Sequence, residues 1–441
     1  MAWKIVKLGN LLVRKRETIK TIPDSEYKLI TIKLHHKGIV LREIRKGGTI
    51  KSPMSKVSGG DFVLSGIDAR NGAFGIVPAE LDNALITNDF WCLVPNEKVI
   101  KKEFLLFITS TKYFDYICNQ SSDGTTQRIR LQREKFFNYE IEIPELDEQN
   151  RILKKLKELK YLSDSIESEQ SLQLNLVRTL RQQILQDAIQ GKLVPQDSND
   201  EPASVLLERI SVEKEKLIRE KKIKKEKPLP PIRPVEFPFE IPDNWLWCRL
   251  GELCTKITDG THHSPPNVET GDYRYITAKN IKNTGIELND VTYVSKEVHD
   301  QIYTRCNPEY GDILYIKDGA TTGIVTVNNL NEPFSMLSSV ALLKLPKMMN
   351  NKFLMYAMRS PYFYDATRND MFGVAITRVT LEKIQNSSFA LPPLQEQNRI
   401  VSKIEQLMTI CDELEQTIQQ NKKYTQELLQ VTLKEALERK N

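Results

Sequence analysis

Apolar residues recur at steps of three and four through two proline-free stretches, 146–190 and 394–438. Ile152, Leu156, Leu159, Leu162 and Ile166 mark the first; Ile400, Ile404, Leu407, Ile410 and Leu414 mark the second. That period belongs to the α-helix. Some 45 residues at ~1.5 Å each would span ~65 Å if unbroken. Such length suggests a coiled-coil-like spacer, with the Leu/Ile columns as the core of a helix pair. Gly191 is placed to close the first helix, with Pro195 just beyond. Before each helix the pattern changes to short β-prone runs, such as Tyr27–Lys33 and Tyr273–Thr277, punctuated by Gly, Pro, Asn and Asp. Each such region reads as a mixed, β-rich domain.

The two halves repeat one plan. Glu148-Gln-Asn-Arg-Ile152 recurs as Glu396-Gln-Asn-Arg-Ile400, and the helix columns keep the same offset. Trp3 with Leu8-Gly9 answers Trp245 with Leu250-Gly251, and Gly60-Asp61 answers Gly311-Asp312. Phe104-Leu105 with Tyr113-Phe114 answers Phe353-Leu354 with Tyr362-Phe363. Generic amphipathic helices could supply the Leu/Ile columns, but not these ordered landmarks. The organisation expected is a first domain over 1–145, a helix over 146–193, a linker over 194–240, a second domain over 241–391 and a distal helix over 392–441. The linker has no counterpart. It opens as a helix near Pro202, carries the charged run Glu213–Lys227, and ends in prolines from Pro228 to Pro242. The charge run reads as a solvated helix face or linker, and the prolines as a stiff extended connector.

Composition narrows the class without deciding it. Basic residues number 63 and acidic 58, a formal +5, which excludes a histone-like polycation and an acidic disordered tail. The excess is uneven: residues 1–145 carry 23 basic and 17 acidic groups, whereas 241–391 carry 15 and 16. The six cysteines form no C-x-x-C pair, against a zinc ribbon or disulfide scaffold. No apolar run approaches the ~20 residues of a membrane span. A soluble cytoplasmic protein is expected.

Catalytic motifs are missing. There is no G-x-x-x-x-G-K-[ST] phosphate loop and no G-x-G-x-x-G between a strand and a helix. Ser264-Pro265-Pro266-Asn267 nears the motif of amino-methyltransferases, but Asn267 stands where an aromatic would stack on a flipped base. Pro23-Asp24 with Glu26 and Lys28 has nuclease letters crowded too closely to hold a metal. His35-His36 and His262-His263 read as loop histidines rather than metal ligands. The chain reads as a binder. A domain repeated on matched helices suits DNA, whose features recur at fixed distances; the other reading is a scaffold holding two protein partners.

The residues themselves carry a resemblance. Leu391-Pro-Pro-Leu-Gln-Glu-Gln-Asn-Arg-Ile400, its variant Ile143-Pro-Glu-Leu-Asp-Glu-Gln-Asn-Arg-Ile152, and Ile184–Gln196 followed by Asp200-Glu-Pro-Ala203 resemble the specificity subunits of type I restriction–modification enzymes over essentially the whole chain. The resemblance implies an α+β fold: two pseudo-repeated β-rich target recognition domains joined by two long antiparallel spacer helices. It implies that each domain reads one half of a bipartite site on double-stranded DNA. Two methyltransferase subunits would dock on the frame, and restriction (motor-nuclease) subunits would join them where the system cleaves. No cofactor is expected in this chain; S-adenosylmethionine, ATP and magnesium would sit on the partners.

DNA contacts are expected where paired donors or acceptors meet glycine-rich turns. Arg70 and Asn71 in the first half, and Lys317, Thr321 and Thr322 in the second, follow the Gly-Asp strands. Gln127, Arg128 and Arg130, against Thr377 and Arg378, precede the helices. Lys51 joins the DNA set. Arg130 and Arg378 share the helix offset, which favours a common phosphate contact over base contacts. The matched letters Glu148-Gln149-Asn150-Arg151 and Glu396-Gln397-Asn398-Arg399 are expected to cap the helices and to help set the junction with the recognition domain or a methyltransferase, with Glu148, Arg151, Glu396 and Arg399 as the partner contacts.

Overall fold

The computed structural model describes residues 3–124, 129–368 and 378–437. The chain divides into two compact units: one runs to Glu167 and takes in the chain from Tyr424 onward, and the other is Ser168–Lys423. The helical periods form the helices Leu146–Ile189 and Leu394–Leu437, of 44 residues each. Asp147 and Glu148 in the first turn of the former, and Glu396 in that of the latter, suit the positive end of the helix dipole.

In the first unit a four-stranded sheet has the order Leu12–Lys15, Phe90–Pro95, Phe62–Ser65, Phe74–Ile76. A five-stranded sheet lies beside it, in which Glu26–Ile32 pairs antiparallel with Ile39–Lys46 and parallel with Ala84–Ile86. Lys4–Lys7 pairs with Glu140–Ile143 and so ties the domain's start to the strand that leads into the long helix. Helices Lys102–Thr109 and Lys112–Gln120 cover one sheet face through Phe104, Phe114 and Ile117. Ile152 enters the same core from the long helix.

The second unit repeats the plan. Its four-stranded sheet runs Lys256–Asp259, Val340–Lys344, Ile313–Ile316, Val325–Val327, and Leu246–Arg249 pairs with Ser388–Leu391. Tyr273–Ile276 pairs parallel with Ser335–Met336, as Glu26–Ile32 does with Ala84–Ile86. Where the first unit has the short 3-10 turn Gly47–Thr49, the second inserts the helix Lys296–Arg305.

Within the second unit the two long helices run antiparallel. Arg181 bonds Asp412 (2.7 Å) and Glu415 (3.1 Å), while Gln196, beyond the first helix's end, reaches Glu396 near the start of the other. Val177, Ile184 and Ala188 share a core with Cys411 and Ile418. Gly191 ends the first helix with φ +70, and the Lys192 amide bonds the Asp187 carbonyl at 2.9 Å. This is the Schellman geometry that glycine permits.

One expectation needs correction. The Leu/Ile columns are not one continuous helix-pair core. Ile152, Ile400 and Ile404 are buried, but Leu162, Ile166, Leu180, Ile410, Leu414 and Leu428 are exposed. The linker packs on the second unit. Helix Ala203–Arg219 buries Ala203, Leu206 and Ile210 against the second unit's core. Lys214 donates to the Gly251 carbonyl, and burial lowers its pKa. Arg249, almost fully buried, bonds the carbonyls of Pro230 and Pro231 and the Glu236 carboxylate (2.7 Å), pinning the proline stretch.

Candidate nucleic-acid interface

Each unit places several of its described candidate residues at one end of its four-stranded sheet, and the same backbone bonds build both ends. In the first, the Gly66 amide bonds the Asp89 carbonyl (2.7 Å), and the Leu131 amide bonds the Gly66 carbonyl (2.7 Å). In the second, the Lys317 amide bonds the Ser339 carbonyl (2.9 Å), and the Val379 amide bonds the Lys317 carbonyl (2.8 Å). Gly66 and Lys317 therefore hold one position in a common frame. The fillings differ. A Cβ at Gly66 would meet the Asp89 oxygen at 2.9 Å and the Trp91 indole nitrogen at 3.1 Å. The indole occupies the space, and Arg14 stacks 5.0 Å from its centroid. In the second unit the lysine chain itself fills the position.

The first sheet end is basic. Arg14 and Arg16 reach the Asn88 carbonyl and side chain (3.1 and 2.8 Å), and Arg130 pairs with Asp89 (3.0 Å). Burial, then the neighbouring Arg16 and Arg133, lower the pKa of Arg14, as expected where like charges crowd. Asn71 is exposed and Arg70 half-buried on the turn Ala69–Asn71, which Gly72 closes at φ +73. The amides of His35 and His36 bond the carbonyls of Asn71 and Gly72, and both histidines sit in the left-handed region (φ 59 and 57). His36 is held there by Asp115 (2.9 Å) and packs edge-on against Phe74. Lys51 is exposed on another loop.

The second sheet end carries buried ion pairs. Lys317 is 2% exposed, with its ammonium 2.7 Å from Asp318 and 3.5 Å from Asp259. Asp259, equally buried, also holds Arg305 (2.5 Å) and lies 3.3 Å from His262. Arg378 pairs with Asp318 at 3.3 Å. Thr321 is exposed, whereas Thr322 is buried and donates to the Gly319 carbonyl (2.7 Å).

These positions revise the sequence expectations. Lys317 and Thr322 face inward: one ammonium lies between two carboxylates and one hydroxyl closes a turn, so neither presents a donor to a ligand. Arg130 and Arg378 are both exposed cations backed by a carboxylate on the sheet end. Gln127, Arg128 and Thr377 lie outside the described residues. Two of the loop histidines, His36 and His262, meet carboxylates. Among the described residues no group of His, Cys, Asp or Glu could hold a metal ion. Arg305 and Asp259 were missed, because their contacts cross 46 and 58 residues of chain that no local motif spans. The triplet Arg14-Lys15-Arg16 was visible as a charge cluster but lay outside any glycine turn.

The shared Glu-Gln-Asn-Arg letters also acquire a structure. Gln149 is fully buried: its Oε1 accepts from the Lys101 amide (2.8 Å) and its Nε2 donates to the carbonyls of Val99 and Pro144 (2.9 Å each). Gln397 does the same with the Asn350 amide (3.1 Å) and the Pro392 carbonyl (3.0 Å). The glutamine clasps the domain to the helix in both units. Its neighbours diverge. Glu148 and Arg151 bond each other on the surface. Glu396 is buried, accepting from Trp245 Nε1 (2.8 Å) and Gln196 (2.5 Å), and desolvation pushes its carboxyl up. Arg399 grips Asp200. Glu396 and Arg399 are thus taken up by the chain's own linker rather than left free for a partner.

This arrangement is a doubled recognition frame: one backbone scaffold, built twice, whose sheet ends carry different side chains. The chain matches the type I restriction modification DNA specificity domain over residues 2–176 and 242–422, and it belongs to that family. It is 28% identical over 426 residues to the Type I restriction enzyme EcoAI specificity subunit of Escherichia coli, covering 85% of this chain and 72% of that one. It is 26% identical to the EcoEI specificity subunit of the same organism, covering 86% and 72%. Among solved structures it resembles the HsdS subunit from Thermoanaerobacter tengcongensis, with TM-score 0.53 at 18% identity over 99% of this chain and 96% of that one. A chain from a study of assembly and conformational transition in the type I R-M system gives 0.57 at 20% identity, covering 99% and 97%. These two likenesses concern the fold.

Proposed function

We propose that this chain is the sequence-reading subunit of a type I restriction–modification complex, each β-rich domain reading one half of a bipartite site on double-stranded DNA. The observation that carries the reading is the repeated sheet end, where identical backbone bonds support different side chains at Gly66 and Lys317. A frame that holds its geometry while its fillings change suits two readers of two different sequences. The chain has no catalytic role of its own. Methyl transfer, ATP hydrolysis and cleavage belong to partner subunits, which hold S-adenosylmethionine, ATP and magnesium. Two methyltransferase subunits dock here, and restriction subunits join them in a cleaving system. The exposed apolar columns support paired docking: Leu162, Ile166 and Leu180 on one helix match Ile410, Leu414 and Leu428 on the other. Large exposed apolar stripes of this kind mark interaction sites. No described helix is long and apolar enough to cross a membrane, and the complex would act on DNA in the cytoplasm.

Co-expression with the neighbouring methyltransferase gene, followed by mapping of methylated adenines across the host genome, tests the reading. Two short specific blocks separated by a gap of fixed length are expected. A contiguous motif, or methylation unchanged when this chain is left out, would overturn it.

A further inference from the structure

The ion-pair cluster of the second sheet end is arranged with Asp259 and Lys317 inside and its guanidiniums outside. Asp259 and Lys317 are buried, whereas the side chains of Arg305 and Arg378 are 52% and 62% exposed. Lys317, Arg305 and Arg378 face the two carboxylates of Asp259 and Asp318, and His262 also faces Asp259, lying 3.1 Å from Arg305. Arg305 turns its Nη2 to Asp259 and His262, Arg378 turns its Nε to Asp318, and both keep further N–H donors for solvent. A guanidinium held from behind keeps its direction toward a ligand.

The two arginines differ in origin. Arg378 lies in the segment common to both units and has its counterpart in Arg130. Arg305 ends the helix Lys296–Arg305, and the first unit has only a 3-10 turn there. Contacts that both readers share cannot distinguish two half-sites; contacts that one reader alone possesses can.

We propose that Arg305 reads a base in the second domain's half-site, with Asp259 as its positioning residue fixed in place by Lys317, and that Arg378 contacts a phosphate of the same half-site. The proposal rests on the DNA-reading function above. Guanine, with its O6 and N7 acceptors in the major groove, is the base whose edge suits the donors that Arg305 keeps free.

The test uses the full chain co-expressed with its methyltransferase, with methylome mapping as the readout. Arg305→Ala is expected to make one position of one half-site degenerate, a loss of roughly tenfold to a hundredfold in discrimination there, while the other half-site stays unchanged. Asp259→Asn, which keeps Arg305 but loosens its hold, should give the same degeneracy. Arg305→Lys should keep methylation but relax that position, because an ammonium cannot hold Asp259 and present a fixed donor to the base at once. Arg378→Ala should keep the motif, lower methylation at all sites, and reduce the salt slope of DNA binding by about one. An unaltered motif with Arg305→Ala in an assembled complex overturns the proposal. So does loss of both half-sites together, which marks a general structural role. If Asp259→Asn fails to assemble, the half-exposed Arg305 decides the matter through its own variants. A wild-type complex with no bipartite motif would instead sink the function on which the proposal stands.

Discussion

Gln149 and Gln397 show how a repeated letter differs from a readable role. The repeat was plain in the sequence, and it suggested capping and a junction with the recognition domain or a methyltransferase. The glutamine makes the junction with the domain by satisfying backbone groups on segments up to 50 residues away, partners that no periodicity names. Replacing Gln397 by Ala leaves the Asn350 amide and the Pro392 carbonyl without partners in a dry site. The expected loss is on the order of 2 kcal/mol, read as a lower thermal midpoint. Gln397→Glu should do comparable harm, because the donor to Pro392 is lost. Glu236 offers a pH-dependent counterpart. Hydrogen bonds from Arg249 and Arg233 hold its carboxyl down to about 2. Its folded value is depressed, so the stability it adds is present above the ordinary glutamate range near 4.5 and fades as pH falls toward 2. Acidification through that window should release the proline stretch, and Phe237, which stacks on Trp247 at 5.8 Å, should leave with it. Tryptophan fluorescence reports the release. Glu236→Gln should remove most of the acid-dependent change.

Among the elements, the long helices were the most legible and the most misassigned. Their length and period were clear, but period alone says only that a face is apolar, not what covers it. Ile152 and Ile400 meet their own domain cores, whereas Leu162 and Ile410 meet solvent. Leu162→Ser with Ile410→Ser should therefore change the unfolding free energy of the isolated chain by less than about 1 kcal/mol, yet abolish co-purification with the methyltransferase. Retained co-purification would remove these columns from the interface. The linker helix behaves in the opposite way. Its charged run drew the eye, but Leu206 and Ile210 on its other face are buried. Leu206→Ala should cost about 2–4 kcal/mol, measured by denaturant unfolding. The short strands were legible as a β-rich class, whereas their order was not, since sheet order depends on pairing between distant segments.

For the whole molecule, the uneven charge has a structural counterpart. The basic first domain gathers Arg14, Arg16 and Arg130 at its sheet end, while the second neutralises much of its charge through Asp259 and Asp318. Binding of DNA by the isolated chain should be weak and should fall steeply with salt through counterion release. Reversing Arg14 and Arg16 to Glu should weaken binding far more than the same changes at two surface lysines of the second domain, as titration at two ionic strengths would show. The doubled plan was visible from the ordered landmarks alone; the contrast between an aromatic filling at Gly66 and an ionic one at Lys317 was not, because glycine and lysine at matched positions look like divergence rather than exchange.

The glutamine clasp has one more consequence. Its principal partners are main-chain amides and carbonyls, which every sequence supplies alike. A joint made this way places almost no demand on the identity of the residues it grips. The domain beyond it is free to change its reading surface substitution by substitution without loosening its attachment. New target preferences can then arise by drift in one half while the other half, and the machinery assembled around both, continues to work. Such a hinge between constancy and novelty is what a defence system facing altered invaders would be selected to keep.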